Sequence, residues 1–193
     1  MEKKTDLRVI KTKRAIKKAF LTLVKQKEYE RVTVQDIADE AMINRNTFYL
    51  HYEDKADLVN KLMTESLEKI EQSISRDISI PEVIHKEYFS HMLYVMFQTI
   101  EKDKEFFQVM LGDHVQTNFS KKLKEVLTDH IIFNEENVKI KLDHKVDIIL
   151  EYMISGMIGV IILWIGSSEL NINETVDNLC EIHFANAMEL FHL

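Results

Sequence analysis

Glycine occurs four times and proline once among 193 residues. Hairpins and sheets draw on both residues for their turns, so this scarcity argues against a β-rich fold. The heavy load of leucine, isoleucine, lysine and glutamate points instead to an all-α protein. Cys180 is the only cysteine, which rules out an internal disulfide framework, and no charged-then-apolar leader opens the sequence, so a cytoplasmic location is expected. The uncharged run Tyr152 to Ser168 falls short of about 20 apolar residues and follows Glu151. It reads as a buried interface helix with no membrane partner. No glycine-rich phosphate loop, nucleophile elbow or recognisable acid pair is present, so no enzyme activity is assigned. Eight histidines occur without H-E-x-x-H or paired Cys/His spacing, so no metal and no cofactor are expected. His183, on an apolar stripe beside Cys180, reads as a satisfied core or interface histidine.

What is present is enough apolar content, 46%, to fill a proper core in one large or two small domains. The net charge of −7 conceals a split. Residues 1–27 carry ten Lys/Arg against Glu2 and Asp6, a balance of +8, which leaves −15 for the remainder. One end of the chain is therefore suited to a polyanion while the rest repels it.

Periodicity divides the chain into helices. From Arg8 to Lys27, apolar Ile16, Ala19, Phe20, Leu23 and Val24 recur at three and four beside a lysine-rich face. Thr33 with Asp36 has the form of a capping box ahead of a short second helix. Asn44 offers the cap of a third helix of about two turns, and Asp54 the cap of a fourth running through Leu58, Leu62, Leu67 and Ile70. Pro81 suits the first turn of a helix over roughly 81–101, Gly112 the end of another near 103–111, and 115–131 a further amphipathic helix. After a polar linker at 132–141, two terminal helices follow near 142–166 and 174–191. The second carries Val176, Leu179, Phe184, Ala187, Leu190 and Phe191 at helical spacing.

Two short helices with a tight turn behind a basic first helix are the layout of a helix-turn-helix whose second member enters the DNA major groove. The stretch INRNTFYLHYEDK, Ile43 to Lys55, fits that use. Phe48 would point inward as an anchor, with Arg45, Asn46, Thr47 and Tyr49 distributed over the faces that meet bases and phosphates. Together with T-K-R-A-I-K-K-A-F from Thr12, the block TVQDIADEAMINRNTFYLHYEDKADL from Thr33 to Leu58 closely resembles the DNA-binding domain of the tetracycline-repressor (TetR) family. Its specific features are I-A-x-x-A, T-F-Y-x-H-Y and the following D-K-x-x-L.

The resemblance implies a DNA-binding domain at 1–55 joined by a long fourth helix to a dimerisation and effector-binding domain at 56–193, about nine helices in all. It also implies a homodimer on double-stranded operator DNA, released by an unknown small-molecule effector. By position, Gln35 and Arg45 would reach bases, since a guanidinium bonds both acceptors of guanine and an amide suits adenine. Thr33, Thr47, Tyr49, His51 and Lys55 match phosphate-holding positions, Lys13 adds another, and Asn46 suits either role. Asn44 reads as a cap rather than a reader. Met42 stands where the family usually has glycine in the turn, at a cost of roughly 1 kcal/mol if its φ is positive.

Further along, GDHVQTNFSKKL and EYMISGMIGVIILW resemble a C-terminal subtype found in regulators related to the dihydroxyacetone-kinase operon activators. Repression relieved by a small-molecule effector is the expected function, and activation or co-activation without an inducer is the alternative that this likeness adds. His91, Tyr94, Met110, His114 and Tyr152 are the candidate effector contacts, being polar or soft groups set among aromatics. The helices near 142–166 and 174–191 carry more apolar surface than one packed layer needs, which suits a two-fold four-helix interface.

Overall fold

A computed structural model describes residues 7–76, 86–112, 114–115, 117–133 and 144–190. Every regular element among them is helical: α1 (Leu7–Gln26), a 3-10 turn (Tyr29–Arg31), α2 (Val34–Glu40), α3 (Arg45–Tyr49), α4 (Lys55–Arg76), α5 (Lys86–Glu101), α6 (Lys104–Leu111), α7 (Phe119–Phe133), α8 (His144–Gly166) and α9 (Ile172–Leu190). The expected start of α5 at Pro81, most of the expected linker and Phe191 lie outside the described residues, as do the side chains of Phe184, Ala187 and Leu190.

The head forms because α1 turns its stripe of Ile16, Ala19, Phe20, Leu23 and Val24 onto α2, which in turn packs on α3. Ile37, Ala38, Phe48 and Tyr52 close the same core, with Ile37 and Phe48 completely buried. α4 begins beneath this core with Leu58 and Leu62, then continues into the body through Leu67, Ile70 and Ile74. Its stripe is thus shared between two layers, so the helix cannot tilt without disturbing both.

In the body, α4 packs on α5 and α7, α5 packs extensively on α9, and α8 lies against α6, α7 and α9. Phe97 meets Trp164 edge-on at 5.0 Å between centroids, and Phe106, Phe107 and Phe119 form a mutual cluster with centroids 5.4–5.6 Å apart. All five rings are buried. Burying each contributes roughly 2–3 kcal/mol, and edge-to-face geometry adds to that. α6 is the second bridge to the head: it contacts α1, Lys17 pairs with Asp103 just before it, and Lys25 pairs with Glu105 at 2.8 Å.

Gly112 ends α6 as expected, but by a different device from the usual left-handed cap. Its φ is −89°, and a β-carbon there would stand 2.6 Å from the Gln108 carbonyl oxygen. Close approach of the backbone, rather than positive φ, demands glycine.

α8 is apolar on both sides. Its uncharged run from Tyr152, expected to fall short of a span, ends with the helix at Gly166, and the segment Asp147–Gly166 is long and apolar enough to cross a membrane by length and composition. One face packs inward through Leu150, Ile154, Met157, Ile161 and Trp164. The other leaves Ile148, Tyr152 and Leu163 in solvent at 69%, 63% and 63% exposure, and Ile182 of α9 is exposed as well. His183 is buried as expected but is not satisfied, because its Nδ1 has no hydrogen-bond partner among the described residues. Burial holds its pKa below the usual histidine value, so the ring is neutral.

Candidate nucleic-acid interface

α2 is fixed at its start by a reciprocal cap. The Thr33 hydroxyl accepts from the Asp36 backbone N–H at 3.1 Å, and an Asp36 carboxylate oxygen accepts from the Thr33 N–H at 2.7 Å. The same carboxylate takes an ion pair from Lys27 at 2.8 Å. That hydrogen-bonded cation, followed by the two Thr33 donors, holds the Asp36 pKa far below the usual carboxylate range. Thr33 is therefore first a structural cap, and its hydroxyl is already engaged on the exposed rim.

The turn after α2 closes as a Schellman motif. The Ile43 N–H bonds the Ala38 carbonyl at 2.9 Å and the Met42 N–H bonds the Asp39 carbonyl at 3.0 Å. This places Met42 at the left-handed position with φ 53°. The strain expected from the missing glycine is tolerated, and the Met42 side chain, 91% exposed, recovers nothing by packing.

α3 then starts at Asn44, whose side-chain oxygen accepts from the Asn46 N–H at 2.8 Å, so Asn44 is a cap. Phe48 sinks into the head core and meets Tyr52 at 5.5 Å between ring centroids. With that ring pinned, Arg45, Asn46 and Tyr49 have no choice but to face solvent, and Thr47 is half-buried. The Arg45 guanidinium lies over the Tyr49 ring, 5.5 Å from its centroid, and donates to the Tyr49 hydroxyl through Nη2 at 3.0 Å. Gln35 donates to Asp39 at 2.7 Å one turn further along α2. Both expected base readers are thus held by an i, i+4 neighbour while remaining exposed, which limits their rotamer freedom before any duplex arrives.

Other expected contacts divide into two groups. His51 is half-buried against Tyr52, and its pKa is lowered by burial and then by the Lys13 charge, which places Lys13 and His51 on one electropositive margin. Lys13 also approaches Glu65 at 3.9 Å. Lys55, in contrast, turns back into the head: Nζ donates to the carbonyls of Tyr29 at 2.5 Å and Val32 at 2.8 Å, and sits 4.0 Å from the Tyr29 ring centroid. Desolvation accordingly lowers its pKa. Lys55 anchors the start of α4 to the loop before α2, a role that sequence spacing did not show. Lys61 is a second anchor missed at that stage: it donates to the His51 carbonyl at 3.2 Å while paired with Asp57 at 2.8 Å. Its only sequence signal is the i, i+4 spacing from Asp57.

Met110 and His114 line two separate surface concavities. Met110 is buried in α6, Tyr94 is half-buried, His91 and His114 are exposed, and Tyr152 projects from the outer face of α8. Tyr152 was a candidate as a polar group among aromatics, and α8, apolar all round, has no polar stripe to mark its solvent side.

A short, capped recognition helix anchored on a basic first helix and joined to a larger helical body defines a helix-turn-helix regulator of bacterial type. A family model described as bacterial regulatory proteins, tetR family, matches residues 16–62, and one described as a transcriptional regulator C-terminal region matches residues 87–182. The chain belongs to the TetR family. Among curated proteins it is similar to the uncharacterised HTH-type transcriptional regulator YxbF of Bacillus subtilis (strain 168), with 21% identity over 150 residues. That match takes in 78% of this chain and 38% of YxbF, so the chain spans well under half of that relative's length. Among solved structures, the dihydroxyacetone kinase operon activator DhaS aligns at 20% identity and a TM-score of 0.60 over 93% of this chain and 97% of its own. A TetR transcriptional regulator from Streptococcus agalactiae 2603V aligns at 22% identity and 0.64 over 92% and 96%.

Proposed function

We propose that the protein binds a specific operator duplex as a homodimer in the cytoplasm and represses transcription until a small molecule releases it. The observation that carries this reading is the α3 surface, where Phe48 is wholly buried while Arg45, Asn46 and Tyr49 face outward beside Gln35 of α2. A guanidinium and an amide held on adjacent short helices suit the acceptors and donors of a major groove. Thr47, His51 and Lys13 supply the flanking phosphate contacts, and the Lys13 charge makes binding depend on salt. The uncovered apolar face of α8, with Ile182 of α9, supports dimerisation through the two terminal helices.

In such a dimer the two α3 helices must sit about 34–36 Å apart to enter successive major grooves. α4 carries the head at one end and packs in the body at the other, so an effector that binds two tilts of α4 unequally would change that spacing. Regulation replaces catalysis in this account.

A second reading has its own support. The rings of Phe97, Trp164, Phe106, Phe107 and Phe119 fill the body, and the expected effector handles lie apart. A body filled by these rings suits an activator that needs no inducer, and DhaS is described as an operon activator. Selection from random duplexes tests the shared part: a two-fold symmetric site is expected, and recovery of no enriched sequence would contradict both readings. A reporter driven from the selected site then separates them, since repression lowers its output and activation raises it.

A further inference from the structure

A groove of about 1120 Å³ opens between α1, α4 and the α5–α6 corner. Leu21, Leu62 and Val95 give it an apolar floor. Around them stand Lys13, Arg14, Lys17, Lys18, Lys69 and Lys102, against the carboxylates Glu65, Asp103 and Glu105. The six cations exceed the three acids by three. Glu105 is moreover taken by Lys25 from outside the groove, Glu65 lies 3.9 Å from Lys13, and Asp103 is paired with Lys17. Arg14, Lys18, Lys69 and Lys102 are left with no carboxylate within ion-pair distance among the described residues. Four uncompensated cations around one apolar-floored concavity are unusual in a chain of net charge −7.

The groove lies on the joint between head and body. Lys17 stands over the Phe106 ring at 4.7 Å and, through Asp103, ties α1 to the start of α6. Tyr52 lines the opposite side and is the ring against which Phe48 of α3 packs. A ligand here would therefore touch both the tie that holds the head and the side chain behind the recognition helix.

We propose that this groove binds an amphipathic anion, a compact anionic head group on a short apolar body, and that its occupation alters DNA affinity. The head group meets Lys69, Lys102 and Lys18, and competes with Asp103 for Lys17, while the apolar part lies over Leu62 and Val95. The class of effector follows from the lining, and only the effect on DNA rests on the regulatory reading above.

Titration calorimetry of the full chain without DNA tests the site, with octyl phosphate, inorganic phosphate and octyltrimethylammonium as probes. Octyl phosphate is expected to bind at least about tenfold more tightly than either of the others, given that exposed ion pairs each contribute up to roughly fivefold. Lys69→Gln with Lys102→Gln should weaken it about fivefold or more, whereas Asp103→Asn, which frees Lys17, should tighten it. Equal affinity for the ammonium probe, equal affinity for inorganic phosphate, or indifference to all three substitutions would overturn the site. Octyl phosphate at its wild-type half-saturating concentration should then shift the affinity of wild type for the selected duplex more than that of the double variant. An unchanged wild-type affinity would overturn the regulatory role. Should wild type bind no duplex at all while the calorimetric pattern holds, the DNA reading fails and the anion site stands.

Discussion

Met42 occupies the one left-handed position among the described non-glycine residues, at φ 53°, and its side chain is nearly free of contacts. The strain was legible because a single sequence position broke the turn pattern, and the hydrogen bonds to Asp39 and Ala38 show why the backbone accepts it. Two bonds made by the turn outweigh one unfavourable φ. Met42→Gly is expected to raise stability by about 0.5–1 kcal/mol, read as a higher urea midpoint with an unchanged slope. A loss of stability would mean that the turn depends on the methionine side chain. Lys55 marks the opposite case at this scale. Its carbonyl partners Tyr29 and Val32 lie 26 and 23 residues away, and no local spacing announces a contact of that range. The family resemblance implies a phosphate contact there, and the geometry shows its Nζ engaged by two carbonyls.

Elements were most legible where a cap and a stripe agreed. Thr33, Asn44 and Asp54 each begin a helix as read, because a cap bond spans only two or three residues. α9 begins earlier than expected, at Ile172, because Asn171 caps it by accepting from the Glu174 N–H at 2.9 Å. The caps also carry a pH dependence. Asp36 is lowered by Lys27 and the Thr33 donors, and Asp57 by Lys61 and the Glu53 N–H. Both folded pKa values lie below the unfolded carboxylate value of about 3.9, so the stabilisation is complete above that pH and is lost as pH falls through the folded values. The thermal midpoint should therefore fall between about pH 4 and pH 2, less steeply in Asp36→Asn. Identical slopes for wild type and variant would remove Asp36 from the account.

At the scale of the molecule, the fold converts a local anchor into a paired contact surface. The all-α class followed from the lack of turn residues and the helical periodicity. The outward face of α8 did not, since a helix apolar all round gives no sign of which side meets its own chain. With Ile148, Tyr152 and Leu163 exposed together, Leu163→Glu is expected to yield a monomer in sedimentation and to lose operator affinity along with it. An unchanged dimer mass would move the interface elsewhere. The most direct test of the central claim is the affinity of Arg45→Ala for the selected duplex and for single-base variants of it. A loss of about 1–3 kcal/mol with relaxed preference at one position of each half-site is expected. Wild-type affinity with wild-type base preference would contradict it.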